Sequence, residues 1–241
     1  MKKWNIGCSG FYNRHWKGVF YPEKLPQSKF FNYYSEHLNT VELNVTFYRF
    51  PTAETLQKWY DKSPDDYIFA VKAPKLITHM KKFDDCERLL NDFYTACKDG
   101  LKEKLGCVLF QLPPSFSYTE ERLELLLKSM NPEFKNVIEF RNVSWWKKKI
   151  YERLEKENII FCTVNHPTMP TDLIVNNETV YVRLHGNPKM FYSKYSAKEI
   201  KELYESINKK RKVKEVYVYF NNTASTAGIE NATELVKLTH P

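Results

Sequence analysis

The chain has 241 residues, 42% of them hydrophobic, and a formal net charge of +8 at neutral pH. That length suits one large core over residues 1–241, and no apolar run approaches the length that crosses a bilayer. The start, MKKWNIGCSGF, goes straight into a strand-like segment without a signal peptide's apolar stretch, so a cytoplasmic protein with no membrane partner is expected.

In chain order, β-rich apolar segments fall at about residues 3–8, 40–45, 67–72, 105–111, 136–141, 159–164, 179–184 and 215–220. Helical patterns lie between them at about 28–38, 52–62, 86–99, 119–130, 145–157, 196–208 and 227–238, several opening on Ser or Thr. Strands alternating with helices in this way predict an α/β (β/α)₈ TIM barrel rather than an open doubly wound sheet. The sixth helix is missing from the pattern. Residues 165–178, NHPTMPTDLIVNNE, hold two prolines and no helical period, so an irregular loop is expected there.

Five cysteines, Cys8, Cys86, Cys97, Cys107 and Cys162, are an odd number without CxxC spacing. They read as small buried hydrophobes rather than a disulfide or metal framework. The basic run Lys209–Lys214 precedes the last strand and belongs to the bottom rim, whereas Lys75, Lys147 and Lys189 follow strands and belong to the top.

Four strands end in polar residues two apart: Glu42 and Asn44, Glu139 and Arg141, Arg183 and His185, Tyr219 and Asn221. Residues two apart share a face of a strand. If Val41, Leu43, Ile138, Phe140, Val182, Leu184, Val218 and Phe220 face the helices, these polar groups face the barrel interior, and Tyr217 with them. The same rule predicts Lys72 and Asn165 inside, with Ser9 and Gln111 at strand ends. Such groups could form a satisfied structural seal. Yet buried charges are penalised by several kcal/mol unless paired, and barrel enzymes work at this end, so a ligand site is expected.

The segments IGCSGFY, HWKGVFYP, TVELNVTFYRFP, FAVKAPKLITH, LFQLPPSF, EFRNVSWW, YVRLHG and VYFNN resemble, in order and spacing, the domain of unknown function 72 family, also called YecE-like. Cys8 stands where that family more often has Thr. The resemblance implies a TIM barrel and a bacterial or archaeal cytoplasmic protein, and it assigns no reaction. It also singles out Glu42, Asn44, Tyr48, Arg49, Lys72, His79, Gln111, Glu139, Arg141, Trp145, Arg183, His185, Asn221 and Asn222 as motif positions.

Three chemistries compete for this mouth. In the first, Arg141, Arg183 and Lys72 bind a phosphorylated or nucleic-acid-derived substrate, Asn44, Tyr48, Gln111, Asn221 and Asn222 orient it, and Glu42 or Glu139 (base) with His185 (acid) hydrolyses a phosphoric ester. In the second, the same face, with Tyr12, Phe191 and Tyr192 around it, binds nucleic acid or another anion without catalysis. In the third, Glu42 and Glu139 serve a glycoside hydrolase. The histidines show no HxH or HxxEH spacing and lie among cations, so no metal ligands are assigned, and the sequence points to no particular cofactor or oligomeric state.

Overall fold

The computed structural model describes residues 2–239, so Met1, His240 and Pro241 of the expected domain lie outside the described residues. Parallel strands β1 (Lys3–Cys8), β2 (Thr40–Leu43), β3 (Ile68–Lys72), β4 (Leu105–Gln111), β5 (Asn136–Glu139), β6 (Ile160–Asn165), β7 (Thr179–Leu184) and β8 (Glu215–Phe220) curl into a barrel. Their ladder order is β1-β8-β7-β6-β5-β4-β3-β2, the continuous neighbour sequence that a TIM barrel requires.

Around them lie α1 (Phe30–His37), α2 (Val45–Tyr48), α3 (Ala53–Lys62), α4 (Glu87–Leu101), α5 (Glu120–Ser129), α6 (Lys148–Lys156), α7 (Ala197–Asn208) and α8 (Ala227–Thr239). Local chemistry sets several starts. The Thr52 hydroxyl accepts from Thr55 N–H at α3, Thr119 does so from Arg122 at α5, and Ser196 with Glu199 forms a capping box at α7.

Seven helices match the expected ones, and α2 is an addition. β2 ends two residues short of its expected limit, and the chain turns at Asn44 into this single helical turn. β5 likewise stops at Glu139, so Phe140 and Arg141 lie just beyond it. Residues 166–178 form no helix, as the prolines imply. The loop is anchored instead by side chains: Ile174 N–H donates to Thr163 Oγ1 at 2.9 Å, and Phe161 N–H donates to Asn176 Oδ1 at 3.0 Å.

That anchoring inverts the alternation expected for β6. Cys162 and Val164 pack inside the barrel with Leu109, Val137 and Tyr181, while Phe161 packs with the helix-facing core. Asn165 therefore points outward, where its Oδ1 accepts from the Tyr195 hydroxyl at 3.0 Å, contrary to the expectation that it joins the interior. Elsewhere parity holds. Val41, Leu43, Ile138, Phe140, Val182, Leu184, Val218 and Phe220 all belong to the core between strands and helices.

β1 and β2 share no ladder, and side chains close that seam. Ile6 N–H donates to Asn39 Oδ1 at 3.0 Å, and Asn39 Nδ2 donates to Trp4 O at 2.8 Å. One turn up, Cys8 N–H donates to the Tyr34 hydroxyl at 2.7 Å, which itself donates to Thr40 O at 3.1 Å. Gly7 lets the strands come this close, because a Cβ there would lie 2.1 Å from Thr40 O.

Candidate functional site

The barrel interior changes character along its axis. Below lie Ala70, Cys107, Val137, Ile160 and Cys162; above them the strand ends carry charge. At the boundary sits Arg183, only 1% exposed. Its Nη2 donates to Glu42 Oε1 at 2.7 Å and its Nη1 to Glu139 Oε2 at 2.5 Å, so one guanidinium from β7 ties β2 to β5. The Arg183 Nε is buried without a partner among the described residues.

Both carboxylates are saturated with donors. Glu42 also accepts from Ser9 Oγ at 2.7 Å, the Tyr181 hydroxyl at 2.7 Å and Asn44 Nδ2 at 3.1 Å. Glu139 accepts in addition from Arg141 Nε. Burial alone would raise both carboxyls. For Glu42 the charge of Arg183 and the Tyr181 and Ser9 hydrogen bonds outweigh it, and for Glu139 Arg141 and Arg183 do, holding the latter well below the usual carboxylate range. Neither carboxyl is then a proton donor at neutral pH.

His185 lies beneath this surface, fully buried. Arg141 Nη2 lies 3.0 Å from its Nε2, and Asn221 Nδ2 lies 2.8 Å from its Nδ1. Burial, reinforced by Arg141 and Arg183 despite the nearby Glu139, lowers His185 to about 3. An uncharged imidazole does not fit the acid role expected for His185; it orients Arg141.

Nearer solvent, Lys72 Nζ donates to Gln111 Oε1 at 2.8 Å and lies 4.2 Å from the centre of the Phe47 ring. Gln111 Nε2 is 3.5 Å from His79 Nε2, and His79 Nδ1 is 2.9 Å from Thr78 Oγ1. Asn44 Oδ1 is buried without a partner among the described residues. A cleft of about 440 Å³ opens beside Glu42 and Asn44, walled by Phe11, Trp16, Tyr48 and Trp59.

The structure thus brings Glu42, Asn44, Glu139, Arg141, Arg183, His185 and Asn221 together, with Lys72 and Gln111 as a second group. Besides those for Asn165 and His185, three expectations fail. Arg183 has no free fork for a ligand, because both Nη atoms are engaged by carboxylates. Asn222 points away to Ser193 O at 2.9 Å and Asn231 Oδ1 at 3.3 Å, tying the loop after β7 to α8. Tyr48, on α2, is 80% exposed and stands on the rim rather than in the cluster. The sequence reading missed Tyr181, although the alternation in VYVRLHG that pairs Arg183 with His185 puts it on the same face. Trp16 and Trp145 are buried packing residues: Trp145 stacks on Phe140 with centroids 4.1 Å apart. All five cysteines are buried and unpaired. Among the described residues no three His, Cys, Asp or Glu side chains gather to hold a metal ion, and no helix is long and apolar enough to cross a membrane.

Comparison with known proteins agrees with this architecture. The family profile described as protein of unknown function DUF72 matches residues 5–241. YunF of Bacillus subtilis is 28% identical over 90% of this chain and 89% of its own length, and YecE of Escherichia coli K12 is 32% identical over 48% of this chain and 42% of its own. A DUF72 family protein of Thermotoga maritima superposes with a TM-score of 0.89 at 30% identity, covering 99% of this chain and 100% of that one. An Enterococcus faecalis relative at 22% identity shares the fold, with a TM-score of 0.84 over 99% of this chain and 96% of that one. With its motifs in order from strand to strand and its eight-stranded barrel matched along almost its full length, the chain belongs to the DUF72 family.

Proposed function

We propose that the barrel mouth binds a small substrate carrying a phosphate or comparable oxyanion, phosphorylated or derived from nucleic acid. The observation that carries this reading is charge left over after internal pairing. Glu42 and Glu139 are matched by Arg183 and Arg141, whereas Lys72 has an amide and an aromatic face for neighbours and no carboxylate in a salt bridge among the described residues. Arg141 Nη1 has no hydrogen-bond partner in the protein among the described residues, so Arg141 and Lys72 are the donors for an anion, and Asn44 Oδ1 is an acceptor for a ligand hydroxyl. Binding is better supported than phosphoric-ester hydrolysis, because the two carboxylates are held by guanidinium groups and are weak bases. The glycosidase reading is weaker still, since its acid needs a raised carboxyl.

Calorimetric titration of inorganic phosphate and sulfate tests the proposal. Removing one charge with Lys72→Gln should weaken binding about tenfold or more, roughly 1.4 kcal/mol. Lys210→Ala, on the exposed basic run at the barrel bottom, should change it little. Oxyanions that do not bind while a neutral sugar does would overturn it. A second reading, nucleic-acid binding without catalysis, is supported by the exposed rings of Tyr12 and Tyr192 beside the mouth. Tight binding of a single-stranded oligonucleotide, lost on Tyr12→Ala and Tyr192→Ala, with no binding of free phosphate, would favour it.

A further inference from the structure

Lys72 closes β3 with its side chain in the barrel mouth, and the residue is 9% exposed. Its nitrogen has one hydrogen-bond partner, the neutral Gln111 amide, and rests against the Phe47 ring. An ammonium in this setting has lost most of its water and gained no carboxylate in contact. Burial comes first, Arg183 and Arg141 add to it, Glu139 and Glu42 oppose it, and the amine is lowered to about 8. Beside it, His79 is lowered to about 4 by burial, then by Lys72, Lys75 and Arg141, so its imidazole is neutral. A reactive amine, a neutral imidazole and the Gln111 amide between them form a cluster that anion binding alone does not require.

We propose that Lys72 is a carbonyl-capturing amine, whose Nζ attacks the aldehyde or ketone carbon of a small oxyanion-bearing substrate and forms a Schiff base. This rests on the anion-binding reading of the same mouth, and adds the reacting group. The Nζ lone pair makes the C–N bond while the carbonyl π pair moves to oxygen, which takes up a proton as nitrogen releases one. The carbinolamine then loses that oxygen as water as the nitrogen lone pair closes the C=N bond. One amine and one carbonyl become one imine and one water, so no oxidant or reductant is needed. His79 is the neighbouring group that accepts the proton from nitrogen and returns it to the departing oxygen.

The test uses the full-length wild-type protein at pH 7, with glycolaldehyde phosphate as carbonyl probe and cyanoborohydride to reduce any imine to a stable secondary amine. Peptide mass spectrometry then reads the adduct at each lysine. An amine titrating near 8 is about a tenth deprotonated at pH 7 and an ordinary lysine well under about 0.1%, so Lys72 should label on the order of a hundredfold faster than Lys210. Labelling of Lys72 no faster than Lys210 overturns the proposal. Uncharged glycolaldehyde and inorganic phosphate separate the two readings. Phosphate that binds while neither aldehyde labels Lys72 overturns the Schiff base and leaves the anion site standing. Selective labelling by both aldehydes at equal rates, unprotected by phosphate, supports the amine chemistry and removes the anion site.

Discussion

Arg183 Nη2 donates to Glu42 Oε1 at 2.7 Å across 141 positions of sequence. With its second bond to Glu139, this contact makes Arg183 the counter-ion for two buried carboxylates at once.

Removing it should therefore act on the fold before it acts on any ligand. Arg183→Met leaves Glu42 buried without a cation and Glu139 with Arg141 alone, at a cost of about 3–5 kcal/mol. Urea unfolding is the measurement. A loss below about 1 kcal/mol would mean that the cluster relaxes or hydrates and that the guanidinium is not its keystone.

Acid should unfold the protein in two stages. His185 is lowered to about 3 in the fold and returns to about 6.5 when unfolded, so the unfolded state binds more protons and stability falls as pH drops below that value. The slope contributed is about 1.4 kcal/mol per pH unit. Glu42 and Glu139 are also lowered; their stabilisation is present above the unfolded carboxyl value and is lost as pH falls through their folded values, which steepens the decline at lower pH. His79, lowered to about 4, adds to the same upper stage, so His185→Asn should reduce its slope and leave the lower stage, as read by denaturant titrations from pH 7 down to pH 3.

Sulfate binding should depend on Lys72 in the alkaline range. The cationic amine binds the anion, and since it titrates near about 8, affinity should fall as pH rises beyond that point. Sulfate itself does not titrate there. In Lys72→Arg, whose charge persists, the profile should run flat to pH 9. An identical fall in both proteins would assign the effect to another group.

The seam between β1 and β2 supplies a local prediction. Tyr34→Phe removes the hydroxyl that Cys8 N–H and Thr40 O share, leaving a buried donor unsatisfied at about 1–3 kcal/mol. Hydrogen exchange at the Cys8 amide should accelerate, while amides in the β7–β8 ladder change only by the global loss. Equal acceleration throughout would show that the seam opens only with the whole barrel.

Much of this arrangement is legible in sequence where a strand alternates cleanly. VIEF, VYVRLHG and VYVYFNN announce which residues face inward, because one face must meet apolar helices. β6 breaks the rule for a physical reason: with no helix between β6 and β7, Thr163 faces outward to satisfy the loop backbone, so Asn165 follows it outside. Lys72 and Gln111 could be placed at the mouth, yet not their mutual contact, because nothing in IFAVK or LFQ specifies a partner. The same holds for Arg183. Its charge suggests a ligand, and only the register of β2, β5 and β7 reveals that two carboxylates already occupy both its Nη atoms.

The parallel ladder from Lys3–Glu215 to Cys8–Phe220 joins the barrel's first strand in sequence order to its eighth. Since β1 and β2 share no ladder among the described residues and side chains such as Tyr34 and Asn39 bridge them, β1 has no strand ladder until β8 emerges. During translation the ring therefore stays unlatched, with Ile6 and Cys8 on an unpaired edge, and it shuts only when synthesis of the eighth strand is complete. A polypeptide interrupted just before Glu215 would carry nearly every residue of the mouth and still be unable to assemble it.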